Sequence, residues 1–165
     1  MYYFSYGSNM SSKRLKDRIQ SAIVISKGKL PKHQLKFHKI SKDGSSKCDI
    51  LETQNNDDIV WGVLYEIDAK DLDKLDKVEG KGSGYERKEI EIVLDSSRVI
   101  SAKTYYVKNQ EKYTDSSLKP YDWYMMHLLY GAIENSLDIA YIQSIIKQPF
   151  ITDNRVTKEL EIYNM

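Results

Sequence analysis

Apolar residues fill positions 1–6 almost without interruption, the pattern of a short strand buried on both faces. Gly7-Ser8-Asn9 breaks that run, and Ser11 or Ser12 then caps a short helix through Lys13, Leu15 and Ile19. Strand character returns at residues 22–25 and 34–40, divided by Gly28 and Pro31. Asp49-Ile50-Leu51 reads as one more short strand between polar loops at 41–46 and 55–58. Residues 59–67, Ile-Val-Trp-Gly-Val-Leu-Tyr-Glu-Ile, form the strongest strand, and Gly62 inside it marks a bulge or a close approach. Asp68 is expected to cap a helix over 69–78 that Gly80 ends as a C′ residue. Two alternating runs, 85–94 and 99–107, flank Asp95-Ser96-Ser97 and predict a hairpin. After Pro120, residues 121–134 have helical spacing, with Trp123, Met126, Tyr130 and Ile133 on one stripe. Asp138 caps a second helix whose Ile139, Ile142 and Ile145 or Ile146 are expected to face the core, and Pro149 closes it. The tail at 156–163 has no clear period. Strands grouped together with helices interspersed, and a hairpin before two helices, predict an α+β fold with a mixed or antiparallel sheet.

Composition narrows the setting. The chain has 165 residues, the length of one domain, and 25 Lys+Arg against 24 Asp+Glu. Such a balance lacks the basic excess of a dedicated nucleic-acid binder. No apolar run approaches the ~20 residues of a membrane span, and no basic segment precedes the first apolar stretch, as a signal peptide requires. With a single cysteine, Cys48, no internal disulfide is available, which points to a reducing, cytoplasmic location. Tyrosine is over-used, 13 residues against 3 Phe and 2 Trp, so some of these rings are free to line a polar pocket.

Two places carry candidate chemistry. Tyr6-Gly7-Ser8-Asn9 lies between a strand and a helix, where a glycine turn aims several backbone N–H groups at one spot and attracts an anion; an ordinary turn needing Gly7 for its backbone angles is the plain alternative. Glu79 lies seven residues after Leu72, nearly two helical turns, and so points the same way as Leu72 and Leu75, toward the core. Burial and the negative helix end both raise a carboxyl group's pKa, the preparation needed for proton shuttling. Fraying at Gly80 would leave the same residue in solvent. Elsewhere the signals are weak. His33, His38 and His127 lack ligand spacing, so no metal is expected. Ser8 has no nucleophile elbow around it, and nothing near Cys48 in sequence activates it. Neither a P-loop nor a Gly-x-Gly-x-x-Gly fingerprint is present.

Taken in order, Tyr3-Phe4-Ser5-Tyr6-Gly7-Ser8-Asn9-Met10, Val60-Trp61-Gly62-Val63-Leu64-Tyr65 and Leu75-Asp76-Lys77-Val78-Glu79-Gly80 followed by Gly84-Tyr85 resemble the γ-glutamylcyclotransferase family, from residue 2 to about residue 137. That resemblance implies a small mixed β-barrel with flanking helices. It implies a γ-glutamyl group held by the backbone N–H groups of Tyr6, Gly7, Ser8 and Asn9, with Glu79 as catalytic acid and base. Tyr105 in Thr104-Tyr105-Tyr106, Tyr121 in Pro120-Tyr121-Asp122, and Tyr85 fall where the family has pocket tyrosines. The implied reaction releases 5-oxoproline from a small γ-glutamyl substrate with no cofactor. Two other readings stand beside it: a relative acting on a γ-glutamyl amine or removing a γ-glutamyl protecting group, and a non-catalytic binder of small γ-glutamyl ligands.

Overall fold

The structure, a computed structural model, describes residues 1–155, Glu159 and 161–163. Of the unassigned tail, 156–158 and 160 lie outside the described residues. β1 (Tyr2–Ser5), β5 (Ile59–Glu66), β2 (Ile23–Pro31), β6 (Tyr85–Leu94) and β7 (Val99–Val107) form a closed barrel in that spatial order. Its seam is the parallel contact between β1 and β7, and the other pairings are antiparallel, so the barrel is mixed. β3 (His33–Ile40) and β4 (Ser46–Glu52) make a separate two-stranded hairpin. Helices α1 (Ser12–Arg18), α2 (Leu72–Glu79), α3 (Gln110–Tyr113), α4 (Asp122–Glu134) and α5 (Ile139–Ile146) flank these sheets. Among the described residues no helix is long and apolar enough to cross a membrane.

Several local expectations are corrected. Gly28 does not break the chain: β2 runs on to Pro31, and Gly28 sits opposite Gly62 of β5 with Leu94 of β6 on its other side. A Cβ on Gly62 would lie 2.4 Å from the Ser5 carbonyl oxygen and 2.6 Å from the Phe4 ring, so the glycine admits the close approach of β1. Asp68 makes no cap bond; residues 69–71 form a 3₁₀ turn and α2 begins after Asp71. Gly80 does end α2 in the left-handed conformation, at φ 75°. Ser11 and Asp138 accept cap bonds from the N–H groups of Arg14 and Tyr141. In α4 the buried face carries Tyr124, His127, Leu128, Gly131 and Ala132 with Trp123, while Ile133 is 60% exposed. In α5 Ile145 is buried but Ile139 is 73% exposed. Spacing finds a helical stripe, but cannot say which of two adjacent stripes meets the barrel.

α4 packs on the segment that follows β1 through its glycine. A Cβ on Gly131 would lie 2.4 Å from both Met10 C and Ser11 N, backbone atoms with nowhere to yield. Tyr65 on β5 donates to the Met10 carbonyl at 2.8 Å and Asn135 donates to it at 3.2 Å, so the segment after β1 is pinned from two sides. Gly131→Ala is therefore expected to cost about 1–3 kcal/mol in urea unfolding; no loss would mean that the 10–11 segment moves freely.

A second buried cluster ties the tail to the same segment. Arg14 donates to His127 Nε2 at 2.8 Å, so His127 Nδ1 carries the proton and donates to the Tyr163 hydroxyl at 2.9 Å. Tyr163 in turn donates to Ser11 Oγ at 2.7 Å. Burial and the neighbouring Arg14 charge hold His127 below the ordinary imidazole value. Glu159 accepts from Arg14 at 2.7 Å and lies 3.6 Å from His127 Nε2, and its carboxyl is held down at about 2, with the Arg14 guanidinium as the donor that faces it. Both shifts have the same sign: the unfolded chain binds more protons, so stability drops as the pH is lowered. The His127 contribution is lost on going below 6.5, and that of Glu159 between 4.5 and about 2. Thermal melts should show His127→Gln with a flatter loss of stability than the wild type between about pH 6.5 and 5; identical slopes would place the buried histidine outside the acid response.

Candidate active site

β1 carries the chain up one barrel wall, and the residues just past it fold into a 3₁₀ turn, Ser8–Met10. α2 returns from β5 and ends at Glu79, whose carboxylate meets that turn. Tyr3 on β1 donates its hydroxyl to Glu79 Oε1, and Asn9 Nδ2 donates to the same oxygen at 2.7 Å. Oε2 accepts no hydrogen bond among the described residues. Glu79 is half-buried and lines a pocket, not the apolar core that its register with Leu75 predicted. The pocket encloses about 330 Å³ of space, part of it open to solvent.

Of the predicted residues, Tyr6, Gly7, Ser8, Asn9, Glu79, Tyr85 and Tyr105 all line this one pocket. The N–H groups of Gly7, Ser8 and Asn9 donate to no acceptor among the described residues, while Met10 and Ser11 donate back to the carbonyls of Gly7 and Ser8. Gly7 is not in the left-handed region, φ −111°; its lack of a side chain matters because a Cβ would lie 3.3 Å from the Tyr124 hydroxyl. Three adjacent N–H groups without protein partners make a site for a carboxylate or a developing oxyanion.

Tyr121 stands apart. Its hydroxyl donates to the Asp43 carbonyl at 3.1 Å, its ring stacks on Trp123, and Arg155 lies 4.9 Å from its centroid. The pocket wall is lined instead by Tyr124, three residues on and one helical turn further along, whose hydroxyl accepts the Cys48 N–H at 3.0 Å. The Pro120-Tyr121-Asp122 motif points to Tyr121, but among the described residues it is Tyr124 that lines this pocket. Tyr3, Ser5, Cys48 and Thr104 also line the pocket and were not singled out. Tyr3 alternates with Phe4 on a short strand, and nothing in sequence tells which of the two reaches Glu79.

Most of the pocket hydroxyls are committed to the protein. Tyr6 donates to the Tyr105 carbonyl at 2.6 Å and Tyr85 to the Cys48 carbonyl. Tyr105 donates to Asp76 Oδ1 at 2.7 Å, and Asp76 also takes Arg87 at 2.6 Å and Lys81 at 3.1 Å. Against the opposing effect of burial, those three donors hold the Asp76 carboxyl below its usual range. Asp76, one of the alternating Lys and Asp residues of α2, is thus an anchor for a pocket wall. Burial pushes Tyr3, Tyr6, Tyr85 and Tyr124 well above the ordinary phenol value, so all four remain neutral, with Tyr3, Tyr6 and Tyr85 as donors and Tyr124 accepting from Cys48 N–H. Among the described residues no group of three or more His, Cys, Asp or Glu side chains is placed to hold a metal ion.

Burial likewise pushes the Cys48 thiol up to about 12. A thiol-specific disulfide reagent at about pH 8 should therefore leave the folded protein unmodified and label one thiol per chain in denaturant; rapid labelling of the folded protein would contradict the burial.

Comparison with known proteins adds a second kind of observation. A model of the AIG2-like family matches residues 59–145. Gamma-glutamylcyclotransferase from Bos taurus is 29% identical over 170 residues, covering 96% of this chain and 85% of the relative. The Homo sapiens protein of the same name is 28% identical with the same coverage. A solved gamma-glutamyl cyclotransferase structure superposes with a TM-score of 0.88 at 26% identity, over 100% of this chain and 99% of that one.

Proposed function

Because the chain belongs to the AIG2-like family, we propose that it is a γ-glutamylcyclotransferase, an enzyme that releases 5-oxoproline from a small γ-glutamyl substrate. The observation that carries this reading is the pairing in one pocket of an oriented carboxylate, Glu79, with the unspent N–H groups of Gly7, Ser8 and Asn9. A non-catalytic binder of γ-glutamyl ligands could use the same carboxylate to pair with the ligand's α-ammonium, so turnover, not binding, separates the two readings.

In the proposed reaction the substrate's own α-amine attacks its γ-carbonyl carbon. The new C–N bond closes a five-membered ring, and the bond to the leaving nitrogen breaks. Attack within one molecule removes the entropy of bringing two reactants together, worth up to about 7–11 kcal/mol when well oriented. What remains is proton traffic. Glu79 takes one proton from the α-ammonium, freeing the lone pair, and delivers it to the departing nitrogen, which leaves as an amine; the ring nitrogen gives its second surplus proton to the regenerated carboxylate, which passes it to solvent or to the released amine. Tyr3 and Asn9 fix Oε1, which leaves Oε2 for that exchange. The N–H groups at 7–9 take the negative charge that builds on the γ-carbonyl oxygen, or hold the α-carboxylate. Rings of Tyr6, Tyr85, Tyr105 and Tyr124 wall the site.

Glu79→Gln keeps an oxygen for Tyr3 and Asn9 to bind but removes the base. It should lower 5-oxoproline release by about 10²–10⁴-fold while leaving ligand-induced thermal stabilisation in place, with γ-glutamyl amino acids, peptides and amines as the panel and mass spectrometry as the readout. Full activity in the variant would remove Glu79 from the reaction. Stabilisation of the wild type without turnover of any member would favour the binder, and the best member of the panel would decide between an amino-acid and an amine leaving group.

A further inference from the structure

The polar chain behind Glu79 does not end at Asn9. Arg18, the last residue of α1, donates from Nη1 to Asn9 Oδ1 at 3.2 Å. Its guanidinium is partly buried and forms no ion pair among the described residues, so this amide oxygen is its one recorded side-chain partner. A guanidinium has donors only. The atom of Asn9 that faces it must therefore be the oxygen, which leaves the amide nitrogen to face Glu79. If the amide were turned over, its oxygen would oppose the carboxylate oxygen and its N–H₂ would oppose the guanidinium, two repulsive contacts in place of two attractive ones.

We propose that Arg18 is a positioning residue of the reaction: it fixes the orientation of the Asn9 amide, and through that amide the carboxylate of Glu79. The proposal rests on the cyclotransferase reading for its kinetic consequence, but the orientation itself is a property of the folded protein. Without Arg18 the Asn9 amide is free to rotate about its last torsion, Oε1 of Glu79 keeps only the Tyr3 donor, and the base samples orientations that miss the substrate amine. Binding of the substrate, which needs the 7–9 backbone and the pocket rings, is left largely as it was. A basic residue at the end of α1 also favours the helix dipole, and a role confined to that would alter stability without acting through Asn9.

The test is a double-mutant cycle in kcat and KM with Arg18→Met, Asn9→Ala and the pair, on protein whose folding is checked by thermal melts. Arg18→Met is expected to lower kcat about 10- to 100-fold, as small misplacements of a catalytic group do, with KM within about two-fold. Adding Arg18→Met to Asn9→Ala should lower kcat no further, because the route runs through the amide. Multiplying effects, or a loss confined to KM, would overturn the proposal. Arg18→Lys, also donor-only, should recover part of the kcat; a folded Lys variant no better than Met would count against it. Nitrogen-15 NMR of the Asn9 side-chain amide gives a readout independent of turnover: its protons should exchange with solvent at least about ten-fold faster in Arg18→Met, as expected when a buried bond is lost. Equal exchange would refute the positioning role. A wild type that makes no 5-oxoproline would refute the reaction, and the NMR comparison would still decide the role of Arg18.

Discussion

One carboxylate oxygen joins the two halves of the site. Glu79 Oε1 accepts from Tyr3 and Asn9, residues 76 and 70 positions away in the chain. That meeting is possible only because the barrel closes with β1 beside β5, so that α2, which follows β5, ends against the turn that follows β1. Every other feature of the pocket is arranged around it. Gly62 lets β1 lie close to β5, Gly131 lets α4 lie close to the 10–11 segment, and Tyr65 holds the Met10 carbonyl. Each of these removes a freedom that would let the turn drift from the end of α2.

The unusual tyrosine content now has a physical account. Tyr3, Tyr6, Tyr85, Tyr105 and Tyr124 each present an aromatic wall to the pocket while their hydroxyls bond to a carboxylate or to the backbone of another element. A phenylalanine in these places would fill the same space but leave the partner groups unpaired, at about 1–3 kcal/mol each when buried. The pocket is thus rigid through its own lining. Rigidity suits a reaction in which the reacting atoms belong to one substrate and the protein has only to hold a base and an oxyanion site in register with them.

How much of this was legible in the sequence follows from how local each feature is. The 6–9 turn, the strand at 59–66, the 85–107 hairpin and the αL glycine at position 80 are set by residues within a few positions of one another, and the patterns found them. Barrel order and the seam between β1 and β7 depend on partners far apart in sequence, which alternation does not encode. Phase was the other weak point. Tyr121 and Tyr124 sit on one short stretch, and only packing against the barrel separates the ring stacked on Trp123 from the one in the pocket. Asp76 was hidden for the opposite reason: in a run of alternating Lys and Asp it looks solvated, and its three donors come from Tyr105, Arg87 and Lys81, two of them on other elements.

The central claim is that the substrate's own amine displaces the leaving nitrogen, with no water entering the product. Turnover in ¹⁸O-water of a γ-glutamyl substrate carrying ¹⁵N at its α-amine measures that directly. The account predicts cyclic 5-oxoproline that retains the ¹⁵N in its ring and contains no ¹⁸O. Free glutamate carrying ¹⁸O in its γ-carboxyl would mean that water is the nucleophile, and would contradict the assignment of this pocket to cyclisation.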